Sequence, residues 1–406
     1  MSEKQIDIEK RAKAAEEKKA AFGEDIDLNK YEVETVANST KDLSEDSKTK
    51  IGQTGIVFDS KEELTKRAAT FIQVDANPMH FDSDQKGVEI LSTQEALAKY
   101  DWLADMLWTA VQPDADKYTA HVALNEFNGY FVKVDPGVKA EYPLQACLHL
   151  ARGNSVQDIH NIMIAGEGSE LHLITGCSSA MKESGVHLGI TEMFIGKGAH
   201  VTNTMIHSWA DSTDVRPRTG IIMEEDSVYV SNYILLKPVR SVQMNPAVFM
   251  NGKGATARFN TVAVALPGSD IDLGSKAYLN APETKVEILS RTISMGGNVI
   301  SRGYLEGNAI DCQGHLECSG LMITNEGCIH AIPELKGNVP GIKLSHEAAV
   351  GKIAEEELEY LMSRGLTRDE ATSAIIRGFI KIDIEGLPKE LTDEINKAIE
   401  QCADAL

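Results

Sequence analysis

The stretches GEGSELHLI (166–174), GKGAHVTNT (196–204) and GKGATARFN (252–260) share one pattern, a Gly-x-Gly turn followed at once by a strand-like run. A phosphate-cradling glycine loop needs a helix behind it, and these turns open strands, so nucleotide binding is not read from them. Recurrence of the unit points to one supersecondary element stacked on itself. From about Val122 to Leu335 the chain keeps the same grammar, with alternation such as Val228, Val230 and Val262, Val264, Leu266, frequent glycine, and no convincing amphipathic helix of ordinary length. Aromatic residues make up only 6% of the chain. Small aliphatics at the inward positions suit the narrow interior of a β-solenoid better than the thicker core of a sandwich or propeller.

Charge density separates the flanks from this core. Residues 1–50 hold 23 charged side chains, whereas residues 241–300 hold 9. The first fifty residues mix Lys, Glu and Ala as solvated helices do. From Ser60 to Val111 the spacing of Leu103, Leu107 and Val111 with Trp108, around Trp102, predicts further helix. After Pro340 the helical signature returns, with 14 acids and 8 bases in residues 341–406. Thr367 and Glu370 form a capping box ahead of an apolar face made by Ala371, Ile375, Ile376 and Phe379, and Gly365 ends the preceding helix. A final helix after Pro388 carries Leu391, Ile395, Ala398, Ile399 and Cys402 on one side. The expected architecture is mostly β: a parallel solenoid over 121–338, an N-terminal helical region over 1–120, and a C-terminal helical domain over 339–406 that caps it.

Composition narrows the function. Over 406 residues, 61 Asp plus Glu face 40 Lys plus Arg, a net charge of −21. That sign opposes nucleic-acid phosphates and anionic lipid surfaces, so neither nucleic acid nor membrane is expected as a partner. The opening MSEKQIDIEKRAKAAEEKK has charge where a signal peptide needs an apolar core, and no 18-residue apolar run occurs, which reads as a cytoplasmic protein. Six cysteines are too few for a disulfide scaffold, and in a reducing compartment a cluster of them means metal or thiol chemistry.

Such a cluster exists. Cys312, His315, Cys318, Cys328 and His330 fall within nineteen residues, with His346 and Glu347 shortly after. Thiolates favour Zn, Cu(I) and iron–sulfur centres, and imidazole or carboxylate completes such sites. On a strand Cys328 and His330 share a face, which lets both reach one ion. The spacing Cys312-x2-His315-x2-Cys318 is not a paired CxxC knuckle, which weighs against a structural zinc protein. Cys147 and Cys177 sit singly in strand-like runs and read as small core hydrophobes. No nucleophile with a base and an orienting group stands out, so no catalytic residue is assigned. A polysaccharide-directed β-helix enzyme would need paired carboxylates in its groove, and residues 241–300 are too poor in acids to nominate them.

Two longer stretches resemble the SufB/SufD family of iron–sulfur cluster assembly scaffolds: GYFVKVDPGVKAEYPLQ from Gly129 followed by IAGEGSELHLITGCSS around Cys177, and HEAAVGKIAEEELEYLMSRGL with TRDEATSAIIRGFI toward the C-terminus. The resemblance covers roughly Asn125 to Ile380. It implies a right-handed parallel β-helix between helical ends, and a non-catalytic scaffold on which an iron–sulfur cluster is transiently assembled at a subunit interface. It also implies a SufC-like ABC ATPase docked on the C-terminal helical domain, which supplies the ATP hydrolysis, and recipient apoproteins for the cluster. By the same resemblance Cys328, His330, His346 and Glu347 are the ligand candidates, and Cys318 joins them from the cysteine and histidine cluster alone. His330 lies three residues before Pro333, as the family's His does, while Cys328 is one position off the family spacing. Ser345-His346-Glu347 keeps the His and second Glu of a Glu-His-Glu motif. His346 also matches a functional His of SufD-like chains, so one chain carries both patterns, which suits a homodimer, with pairing to a second scaffold subunit as the other arrangement. The family's sulfur-accepting Cys corresponds to Phe249 in Pro246-Ala247-Val248-Phe249, and Phe accepts no persulfide.

Overall fold

In a parallel ladder each strand satisfies its neighbour's backbone, and the length of one coil decides which residues meet. Here the stacked coils place a residue beside the one 27 to 31 positions further on: Gly220 beside Ala247, Leu144 beside Leu173, Glu170 beside His200, Phe131 beside Ile162. The computed structural model describes residues 3–380 apart from 41, 58–63, 65 and 84. It is a β-solenoid of about eight turns with two walls. One wall climbs from Leu144–Leu150 through Glu170–Ser179, His200–Ser208, Val228–Leu235, Thr256–Ala265, Lys285–Ser294 and Gln313–Met322 to Lys343–Lys352. The facing wall begins with Tyr130–Val134, Ser155–Ala165 and Gly185–Ile195 and ends with Asp270–Leu279, Asn298–Gly307 and Cys328–Gly337. Between the walls lies one continuous aliphatic core that includes Leu173, Val201, Ala257, Val286, Val299 and Leu316.

The Gly-x-Gly turns are the corners of this stack. The second glycines, Gly168, Gly198 and Gly254, have φ of 64°, 62° and 73°, which favours a residue without Cβ. At the first positions the limit is space: a Cβ on Gly166 would lie 2.6 Å from the Pro136 nitrogen, and one on Gly252 1.9 Å from the Glu225 nitrogen. The corners also bond to each other, since Gly168 donates to the Lys197 carbonyl and Gly198 to the Glu225 carbonyl, both at 2.8 Å.

The N-terminal part is less helical than its spacing predicts. Ala69–Val74 is a fully buried strand that adds in parallel to Leu144–Leu150, Asn77–Ser83 returns antiparallel beside it, and Val88–Ser92 pairs antiparallel with Tyr130–Val134. These strands close the first coil. Leu103, Leu107, Trp108 and Val111 do form one apolar cluster, against Val186, Leu188 and Ile190 on the outer face of the solenoid. Leu103 reaches it from the short 3-10 turn Asp101–Asp105, and the others from an irregular segment in which Trp108 has φ of 60°. The helices here are Glu3–Ala14, Glu45–Gly52, Thr93–Lys99 and Lys117–Leu124. A carboxylate locks this layer onto the wall. Fully buried Glu192 accepts the backbone N–H groups of Trp108 (2.6 Å), Ala110 (2.7 Å) and Val111 (3.1 Å) and lies 2.9 Å from His160 Nε2. Bonds to an ionised acceptor are roughly twice as strong as neutral ones.

At the other end the strands run on to Lys352, beyond the expected boundary at 338, and helices Glu355–Met362 and Arg368–Ile380 follow. The capping box is present: Thr367 N–H donates to Glu370 Oε2 at 2.7 Å, and Glu370 N–H to Thr367 Oγ1 at 3.3 Å. Gly365 has φ of 99°, as a helix-ending glycine should. The second helix folds back on the solenoid, burying Ile376 and Ile380 against Ile206, Ile234, Val262, Ile293 and Leu321. Each such isoleucine contributes about 1.5–3 kcal/mol. The helix expected after Pro388 lies outside the described residues. No helix among the described residues is long and apolar enough to cross a membrane.

Candidate functional site at the open end of the solenoid

The two strands of the last coil each have a partner on one side only. Among the described residues Cys328–Gly337 pairs with Asn298–Gly307 and Lys343–Lys352 pairs with Gln313–Met322, with nothing on the far side of either. Because strand residues alternate between faces, the inward row is set by packing. A Cβ on Gly320 would touch Ile329 and Val350, and one on Gly314 would touch Leu344, so Ile329, Leu344 and Val350 face the interior. Cys328 and His330 therefore project outward from one wall, both exposed, as their two-residue spacing predicts. His346, in register with the core residue Leu316, faces inward from the other wall at the open mouth. Glu347, in register with Glu317, faces outward from that wall. Cys328 owes its place to Gly327, whose φ is 79° and where a Cβ would lie 2.3 Å from the Gly297 carbonyl oxygen.

Cys318 stands apart from these four. It is 1% exposed, one coil below Ala348, and burial raises its thiol pKa while Ser301 hydrogen-bonds it. Cys312 is likewise buried with its pKa raised by burial. His315 lies outside, its Nδ1 2.9 Å from Ser345 Oγ. The expected ligands thus share the end of the solenoid but occupy three of its surfaces. Among the described residues no three His, Cys, Asp or Glu side chains gather closely enough to hold a metal ion. Sequence reasoning missed the polar floor beneath Cys318, where Ser290 Oγ and Ser301 Oγ are 3.1 Å apart in the core. The signal was available, since serine sits where the inward rows otherwise carry Val, Ile or Leu.

The last coil also exposes apolar side chains, Val350 at 44% and Leu335 at 38%. Among the described residues the stack is thus finished at one end and uncovered at the other, with thiol, imidazole and carboxylate on the uncovered coil. The match to known proteins makes this specific. The family model described as SUF system FeS cluster assembly, SufBD core domain, covers residues 149–379. An iron–sulfur cluster assembly SufBD family protein of Archaeoglobus fulgidus is 48% identical over 353 residues, covering 87% of this chain and 94% of that protein. One of Methanothermobacter thermautotrophicus strain Delta H is 42% identical over 406 residues, covering 97% and 98%, and one of Pyrococcus horikoshii is 31% identical over 320, covering 78% and 71%. The chain belongs to the SufBD family of iron–sulfur cluster assembly proteins.

Exposure should order the thiols by reactivity. In the native protein iodoacetamide should modify Cys328 about tenfold or more faster than Cys147, Cys177, Cys312 and Cys318, as read by peptide mass mapping. Labelling of Cys318 at the rate of Cys328 would show that the last coil does not cover it as described.

Proposed function

We propose that this chain is the scaffold on which an iron–sulfur cluster is transiently built, that the building site forms where two copies meet through their open ends, and that the cluster then passes to apoproteins. The observation that carries the reading is the open coil itself: Cys328, His330, His346 and Glu347 are presented at the end of the stack yet are not gathered by one chain. An unpaired strand edge is a template for another strand. Lys336, Lys343 and Lys352 flank this one, but Ala331, Ile332, Ala348, Ala349 and Val350 form its middle. A second copy brings a second set of the same groups, and a two-fold contact requires no new surface. The cluster is cargo, so ligation must be tight enough to build it and weak enough to release it. Mixed thiolate, imidazole and carboxylate ligands meet that need better than four thiolates. With Phe249 at the family's sulfur-accepting position, sulfur enters as sulfide or through another thiol. A cytoplasmic setting goes with free thiols.

The chain supplies no ATP chemistry of its own in this reading. A SufC-like ABC ATPase docks on the C-terminal helices, and its motion reaches the site through the backbone. The strand Lys343–Lys352 leads through Ile353, packed beside Ile376 and Ile380, into the helix Glu355–Met362. Of the helix Arg368–Ile380, Ala371, Ile376 and Ile380 are buried. Among the described residues of this domain, the first helix exposes Tyr360 at 59% and Met362 at 40%, which makes it the proposed docking surface.

Anaerobic reconstitution with iron and sulfide tests the scaffold. The native chain should develop cluster absorbance with matching iron and sulfide content, while Cys328→Ala and His346→Ala lose most of it with native circular dichroism. Full cluster retention in both variants removes them from the site, and zinc in place of iron in the purified chain refutes the cluster reading.

Docking has its own test. Tyr360→Glu with Met362→Glu should abolish co-purification with the ATPase while leaving reconstitution intact. Undiminished binding places the docking surface elsewhere.

A further inference from the structure

At the opposite end of the molecule the N-terminal helices and the segments between them line a half-open cavity of about 1060 Å³. That is ample for a small-molecule ligand. Its apolar walls include Ile8 from the helix Glu3–Ala14, Leu97, Leu107 and Leu124. Trp108 and Phe127 also line it, and both close on His160, with ring centroids 4.5 and 5.2 Å from the imidazole. His121, on the helix Lys117–Leu124, forms part of the wall, and its Nδ1 lies 3.0 Å from Asp158 Oδ1.

The charges around the cavity are unbalanced. Lys13 is tied to Glu9 at 2.5 Å, and Lys117 to Asp25, also at 2.5 Å. Asp27 has only Lys30 at 3.8 Å, and Glu16 and Glu17 make no ion pair among the described residues. Behind the wall two polar atoms are buried with no hydrogen-bond partner among the described residues, Asp158 Oδ2 and His160 Nδ1. Buried polar atoms are ordinarily satisfied, and leaving one unmade costs about 1–3 kcal/mol. A negative mouth, two aromatic rings in the lining and an imidazole held by a buried carboxylate are together the chemistry that recognises an organic cation.

We propose that this cavity binds a small amphiphilic amine. Its apolar body sits between Trp108, Phe127 and the leucines. Its ammonium group lies among Glu16, Glu17 and Asp27. Nothing in this site touches the open coil, so it stands or falls independently of cluster assembly.

Two probes of equal size and opposite charge test it on the full chain, phenethylamine and phenylacetate, titrated while following tryptophan fluorescence, to which Trp108 contributes. Phenethylamine should give a saturable change, with phenylacetate at least about fivefold weaker. The exposed pair Glu16→Gln, Glu17→Gln should weaken the amine severalfold without altering circular dichroism. Absence of saturable binding by the amine, equal binding of both probes, or full affinity in the Glu16→Gln, Glu17→Gln variant would overturn the proposal.

Discussion

A parallel β-solenoid obeys one constraint that ordinary sheets escape by closing or by covering their edges: every coil is satisfied by the next, so the stack must end somewhere with its ladder unpaired. This chain treats its two ends differently. The first coil is finished by the strands Ala69–Val74, Asn77–Ser83 and Val88–Ser92 and by the helices around them. The last coil, among the described residues, is finished by nothing on its far side, and the helix Arg368–Ile380 folds back along the outer wall. Cys328, His330, His346 and Glu347 lie on that unpaired coil. In the proposed assembly of two copies, satisfying the backbone edge and gathering these four side chains are one event.

The remainder of the molecule holds that mouth rigidly. Stacked corners and the aliphatic core fix each coil on its neighbour. The N-terminal layer adds buried charge that is satisfied by geometry: Glu192 with three backbone N–H groups and His160, and Arg218 with Asp116 at 2.7 Å. Buried ion pairs add little net stability over an apolar contact, but breaking one partner is costly, so such pairs specify where the layer sits. The last coil is the opposite case, half-exposed and unpartnered, which is where movement driven by a partner would act.

Much of this was legible in the sequence. The three Gly-x-Gly turns are corners for the reasons glycine makes corners, one residue for φ and one for space. The two-residue spacing of Cys328 and His330 placed both on one face, and Thr367 with Glu370 marked a helix start. The failures share a cause: a parallel neighbour lies far along the chain, 75 residues for Ala69–Val74 beside Leu144–Leu150, so nothing local distinguishes that strand as one that completes a distant sheet. The spacing of Leu103, Leu107 and Val111 was a true packing signal but did not say that an irregular segment carried it. Likewise Lys343–Lys352, placed by its charge in the helical domain, shows itself as solenoid only through its pairing with Gln313–Met322. The placing of Cys318 one coil inside the mouth, and of Ile376 on the outer wall, depended on three-dimensional register rather than pattern.

The most direct test of this account is hydrogen exchange at the backbone amides of residues 328–337 and 343–352, followed through a dilution series that spans dissociation of the dimer. The account predicts slow exchange there in the dimer, rapid exchange once copies separate, and constant protection of the interior strand Ser155–Ala165 throughout. Exchange of the last coil that is equally fast at every concentration, with the interior protected, would show that no second copy covers the open end and would contradict assembly between two of them.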